Sequence, residues 1–263
     1  MVSSLPAGPM HSVFDPPGAL AGMVLAGLLV AGCASAADGK IPIAVDSVTR
    51  VTDVARYRLT EYLQNHGCSA DIRFDVDVPG LALVFLSART EDPGPALAAV
   101  NRNRQLPVPV WVTRKTAGVR HIRELRGRDL ATVAGRDPVG RDLPLAALRE
   151  QGITPEPEQL YEAGDYSSAL GLLLHNNTHG AVSELGFVSP LLAGNNLVVS
   201  WRGNRLRSAG WYRRDGWNPS VTACEQALAN MQREDDPQVF AIFPEWVSGF
   251  ALPDSQNSED SEQ

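Results

Sequence analysis

From residue 41 onward, short apolar runs of strand length alternate with stretches of helical periodicity, and this alternation limits the fold more than any other feature. Residues 41–46 (IPIAVD), 81–88 (LALVFLSA), 108–113 (VPVWVT), 129–134 and 180–183 read as buried strands. Residues 70–78 (ADIRFDVDV) alternate apolar and polar side chains before Pro79-Gly80, and further short strands fall at 159–162, 197–201 and 210–213. Between them, residues 52–66 set Val54, Ala55, Tyr57, Leu59, Tyr62 and Leu63 at helical spacing, and Gly67 is the stop. The pattern predicts further helices over 95–103, 143–151 (closed by Gly152), 167–175 and 221–232, and an aromatic-rich packing segment over 239–250. No internal repeat or heptad run is present. The prediction is an α/β class with largely parallel sheets.

Composition excludes several functions. The chain has 263 residues, 44% of them apolar, which suffices for one large domain or two small ones. A net charge of −7 leaves no basic surplus to neutralise phosphates, so nucleic acid is not an expected partner. Lys40 and Lys115 are the only lysines, which argues against Schiff-base chemistry. Three cysteines can form neither a disulfide-dense scaffold nor a four-cysteine zinc site, but they leave a Cys68–Cys224 bridge open. The G-x-S-x-G, G-x-x-x-x-G-K-[ST] and H-E-x-x-H motifs are all missing, and no nucleophile–base pair stands out. His175 and His179 are four apart, yet Asn176-Asn177-Thr178 between them is poor helix material, so no metal site is expected. The residues imply no cofactor and no enzyme.

The N-terminal segment points to export. Residues 19–32 (ALAGMVLAGLLVAG) are apolar or small, shorter than the roughly 20 residues a membrane-spanning helix needs but suited to the core of a signal peptide. Val30-Ala31-Gly32-Cys33 is similar to a bacterial lipobox, which makes residues 1–33 a lipoprotein signal and Cys33 the lipidation site. Ala34-Ser35-Ala36 offers an ordinary cleavage site instead. Both readings place the protein in the periplasm, and the first ties it to the bacterial envelope through lipid. Residues 1–18 carry no Lys or Arg, a departure from the usual basic start. The tail, residues 254–263 (DSQNSEDSEQ), reads as acidic and disordered.

The series Leu125-Arg126-Gly127-Arg128, Gly140, Pro144, Leu148 and Gly152-Ile153, followed by Ala163-Gly164-Asp165-Tyr166-Ser167-Ser168 and Gly180-Ala181-Val182-Ser183-Glu184, resembles the second lobe of type II periplasmic solute-binding proteins. It is most similar to the phosphate/phosphonate branch of ABC-transporter binding proteins. The resemblance covers roughly residues 108–219. It implies a two-lobed α/β fold with a ligand cleft between the lobes: residues 34–110 in lobe one, 111–209 in lobe two, and 210–253 returning to lobe one. It also implies a small-molecule ligand and an inner-membrane ABC permease as partner. A binding-protein-like sensor signalling to a membrane histidine kinase or another envelope complex is the alternative.

Positions matching the resemblance nominate the ligand-binding residues. The loop holding Arg136, Asp137, Val139, Gly140 and Arg141 precedes a helix start, where free N–H groups and the dipole favour an anion. Pro138 removes a donor there and Asp137 would repel a phosphonate, while Arg136 and Arg141 could fork onto an oxyanion. Asp137 reads equally as an N-cap with the arginines solvated. Tyr166 stands where the family commonly has histidine, and its phenol can donate from the cleft wall; packing beside a capping Asp165 is the other reading. Glu184 ends a strand where relatives place an acid facing the ligand, or it is a surface charge. Asp46, Ser47 and Ser87 are nominated by predicted strand ends, and Trp111 by its place on a proposed crossing strand, with core packing as the competing role. The expected ligand is a small polar or anionic molecule, and the eroded anion features weigh against phosphonate itself.

Overall fold

A computed structural model describes residues 39–47, 52–88, 94–207 and 209–252. The signal-peptide and Cys33 readings and the acidic tail lie outside the described residues. Strand β1 (Ile41–Val45) is followed by α1 (Thr52–Asn65), β2 (Ala70–Arg73), β3 (Leu83–Leu86) and β4 (Leu97–Val100). Then come β5 (Pro109–Arg114), β6 (Leu130–Val133), α2 (Asp142–Glu150), β7 (Leu160–Ala163), α3 (Tyr166–Leu174), β8 (Gly180–Glu184), α4 (Leu185–Leu192) and β9 (Leu197–Arg202). Strand β10 (Gly210–Arg213), helix α5 (Thr222–Asn230) and β11 (Gly249–Ala251) complete the chain.

The strands form two sheets, of order β11-β4-β10-β3-β1-β2 and β7-β6-β8-β5-β9. After β4 the chain crosses through residues 101–108 to build β5–β9, then returns after β9 to lay β10 and β11 into the first sheet. The architecture is the expected α/β class, but the sheets are mixed rather than largely parallel. Strand β1 pairs parallel with β2 and β3, and β6 with β7 and β8. Strands β5, β10 and β11 pair antiparallel with their neighbours. Strands β5 and β10, the first laid down after each crossing between sheets, are antiparallel to every neighbour.

Each sheet is buried by its own helices. Helix α1 directs Ala55, Leu59 and Leu63 inward at i, i+4, i+8, and α3 directs Tyr166, Ala169, Leu170 and Leu173. Helices α1 and α5 lie together: the Tyr62 hydroxyl donates to the Ala227 carbonyl at 3.1 Å, and Cys68 is disulfide-bonded to Cys224 across 156 residues of sequence. Phe85, Trp211 and Phe250 of the first sheet pack with Phe240 and Phe243 of the segment before β11, largely edge to face, with centroids 4.6–6.1 Å apart.

Two local expectations are corrected. Residues 95–103 hold strand β4 instead of a helix: Leu97, Ala98, Ala99 and Val100 are all buried between β10 and β11, so sheet pairing overrides the helix preference of alanine. The strand expected over 70–78 stops at Arg73, because the Asp75 carboxylate accepts the Asp77 N–H at 3.1 Å and turns the chain. Helix α4 was not anticipated; it contains Pro190 and starts directly from β8 with Glu184 as its cap.

Candidate functional site

Strands β6, β7 and β8 run parallel, so their carboxyl ends share one edge of the second sheet. The loop around Asp137 follows β6, Gly164-Asp165-Tyr166 follows β7, and Glu184 ends β8. Such edges are where open α/β sheets receive ligands. The return segment of the first sheet meets this edge through Pro244, Glu245 and Trp246.

Asp137 sits at the centre of the arrangement and is 4% exposed. One carboxylate oxygen accepts the Val139 N–H at 3.0 Å, capping the 3-10 turn Pro138–Gly140. The other accepts the Tyr166 hydroxyl at 2.5 Å and the Trp246 indole N–H at 2.8 Å. Its acid therefore faces three donors of its own chain. Burial holds the Asp137 carboxyl above the usual range, against the lowering effect of those hydrogen bonds. Burial first, then the neighbouring Asp137 charge, pushes the Tyr166 phenol well up, so it stays protonated and donating. Gly140 is required by this packing: a Cβ there would lie 2.9 Å from Val133 and 3.0 Å from the Tyr166 hydroxyl.

Glu184 is fully buried at the crossing between the sheets. It accepts from the Asn101 amide at 3.0 Å, the Val108 N–H at 3.1 Å and the Phe187 N–H at 2.8 Å. The carboxylate thus ties the crossing segment to the start of α4. Burial raises its pKa, opposed by Asn101 and the backbone donors. The surface-charge reading of Glu184 is corrected on burial alone. Gly186 lies so close to Asn101 that a side chain at this position would collide with it.

The N-terminus of α3 receives carboxylates from two directions. Asp165, the N-cap, accepts the Ser168 N–H at 2.7 Å. Glu245, from the return segment, accepts the Ser167 N–H at 2.7 Å and the Ser167 hydroxyl at 2.8 Å. Arg233 organises the segment that delivers Glu245. Its guanidinium donates to the carbonyls of Val247 at 2.7 Å, Phe240 at 3.2 Å and Pro244 at 3.1 Å. Burial brings the Arg233 pKa down to about 10, with the Glu245 charge acting the other way.

Two cavities flank this contact. One, of about 370 Å³, is lined by residues that include Asp137, Gly164, Asp165, Tyr166, Arg233 and Glu245. The other, of about 440 Å³, includes Arg102, Phe187, Leu191, Arg233, Glu245 and Trp246. Both volumes suit a small molecule.

The other nominated residues lie elsewhere. Arg141 forms an ion pair with Glu162 of β7 at 2.8 Å, and Arg136 is exposed, so the two do not fork onto one ligand here. Val139 is buried. Trp111 is fully buried and donates its indole N–H to the Pro144 carbonyl at 3.0 Å, making it a core residue of the second sheet. The Ser47 hydroxyl donates to the Ile242 carbonyl at 2.9 Å, Asp46 is half-buried, and Ser87 is buried. None of these three lines either cavity. Sequence reasoning missed Arg233, Glu245 and Trp246, which lie far along the chain. The one available signal was a Pro-Glu-Trp step inside an otherwise apolar segment.

Two α/β units joined by crossing segments, with small cavities where strand ends meet a returning segment, define the class of two-lobed solute-binding proteins. Comparison with known families narrows this. Residues 82–257 match the family described as the periplasmic phosphonate substrate-binding protein of ABC transporters, and the chain belongs to that family. It is similar to PhnD1 from Prochlorococcus marinus in complex with methylphosphonate, at 14% identity and a TM-score of 0.55, covering 84% of this chain and 96% of that one. A binding-protein component of an ABC phosphonate transporter from Pseudomonas aeruginosa superposes at 10% identity and 0.53, covering 81% and 80%. A Xanthomonas citri protein bound to ATP does so at 13% and 0.52, covering 84% and 94%. No curated protein sequence matches the chain.

Proposed function

We propose that the protein is the solute-binding component of an ABC-type uptake system and holds a small polar or anionic ligand where the β6, β7 and β8 ends meet the return segment. Family membership supplies the transport role. The observation that carries the binding reading is the 370 Å³ cavity, which brings Tyr166 and the α3 N-terminus of the second sheet's layer against Arg233 of the return segment. Arg233 is the cation best placed to face an anion, and the α3 dipole acts in the same sense. The lobe-two contribution is read as Asp137, Gly140 and Tyr166, with Asp137 acting through the hydrogen bond that fixes the phenol. Cys33 is read as the lipid anchor that keeps the protein at the envelope beside its permease.

The test is mass spectrometry of small molecules released from the purified protein, followed by calorimetric titration with the compound found and with methylphosphonate and phosphate. A released solute that rebinds at micromolar concentration is expected. Absence of any bound or rebinding small molecule would refute the reading.

A further inference from the structure

The α3 N-terminus, the obvious seat for an oxyanion in this cleft, is occupied by the protein's own carboxylate. A nine-residue helix leaves its first N–H groups without intrahelical partners. Asp165 takes that of Ser168 and Glu245 takes that of Ser167, together with the Ser167 hydroxyl. Glu245 presents both oxygens to Ser167, as a phosphonate or carboxylate ligand would. It comes from the other side of the seam, 78 residues further along the chain.

Two further observations separate this contact from ordinary capping. First, Glu245 borders both cavities, so its side chain stands between the two spaces a ligand can enter. Second, its neighbours are fixed by burial, whereas its own side chain is held on the Ser167 side by hydrogen bonds. Trp246 is 1% exposed and bonded to Asp137, and Pro244 is buried with its carbonyl held by Arg233, whereas Glu245 itself is half-buried. The Glu245 side chain can therefore leave Ser167 without unpacking the segment that carries it. Once it has swung away, the Ser167 N–H and hydroxyl are free donors and Arg233 is the nearby cation.

We infer that Glu245 is a built-in competitor for the ligand's anionic group: an oxyanion reaches Ser167 only by displacing it, so this residue sets the threshold affinity and the selectivity of the cleft. The inference rests on the anionic-ligand reading above. A lone small oxyanion must replace two charge-assisted hydrogen bonds while meeting the displaced carboxylate nearby. A ligand with additional contacts in the flanking cavities can offset that loss. The competitor thus disfavours inorganic phosphate relative to larger anions.

The test is calorimetric titration of the wild-type protein, E245A and E245Q with inorganic phosphate and with methylphosphonate, alongside amide hydrogen exchange at Ser167. E245A is expected to bind both anions at least ~10-fold more tightly than wild type, the equivalent of about 1.4 kcal/mol. E245Q, which loses the charge but keeps an oxygen acceptor, should fall between them. The Ser167 amide should exchange faster in ligand-free E245A and regain protection when phosphate is added. Equal, measurable affinities in wild type and E245A would overturn the competitor and leave the anionic reading standing. Tighter binding without protection at Ser167 would overturn it as well. No binding of either anion by any of the three proteins would overturn the anionic reading and the competitor together. E245Q keeps the shape of the side chain, so the comparison survives if E245A folds poorly.

Discussion

Asp137 carries three hydrogen bonds on a side chain whose ionised form burial disfavours, and the balance between these effects determines how the site responds to pH. A carboxyl whose pKa is raised by folding binds its proton more tightly in the folded state. Its stabilising contribution is complete below the ordinary value of 3.8 and disappears as pH rises through the raised folded value. The substitution D137N keeps the shape and removes the titration. The thermal midpoint of wild type, measured across pH 4–8, should therefore fall relative to that of D137N as pH increases, by roughly 2–4 °C for each 1 kcal/mol. Parallel curves would show that Asp137 does not titrate in this way. Glu184 shifts in the same direction and remains in both proteins, so part of the slope persists in D137N.

At the level of elements, the Cys68–Cys224 bond joins the end of α1 to α5 on one layer of the first sheet. Closing a loop of 156 residues removes denatured-state entropy worth at most about 5 kcal/mol in the chain-entropy picture. The double variant C68A/C224A should unfold at markedly lower urea concentration, and unreduced protein should show neither thiol in a titration. Retention of the wild-type midpoint would refute a stabilising role. The same elements show what a sequence discloses. Strands such as β1, β3 and β5 were legible because they are buried apolar runs, and α1, α2 and α5 because their periodicity is interrupted by caps or glycine. Strand β4 was not: Leu97-Ala98-Ala99-Val100 has no alternation, and only β10 and β11, arriving over a hundred residues later, make it a strand. Helix α4 was missed because Gly186 and Pro190 weaken its helix preference, while a buried cap at Glu184 and the contact with Asn101 hold it in place.

On the scale of the whole molecule, the two halves are held together at their seam by contacts from adjacent residues, Trp246 to Asp137 and Glu245 to Ser167. W246F removes the indole N–H while keeping an aromatic ring. The ligand-free variant should show a larger radius of gyration by small-angle scattering than wild type, and an unchanged value would show that this bond does not restrain the halves. Half of the residues that meet at this candidate site were legible in the sequence, for a physical reason. Asp137, Gly140 and Tyr166 lie close together along the chain, in loops that follow consecutive strands of one sheet. Their partners come from a segment whose position depends on β10 and β11 completing the other sheet. Composition made residues 239–250 look like packing, and most of them are; the two polar groups that reach Ser167 and Asp137, the Glu245 carboxylate and the Trp246 indole N–H, are embedded among aromatics.

The late position of Glu245 and Trp246 in the chain also has a temporal consequence. When the chain is delivered N-terminus first, every strand of the β7-β6-β8-β5-β9 layer arrives before these two residues. Until they follow, Asp137 lacks its indole donor and Ser167 lacks its carboxylate partner, so the ends of β6 and β7 acquire these contacts last.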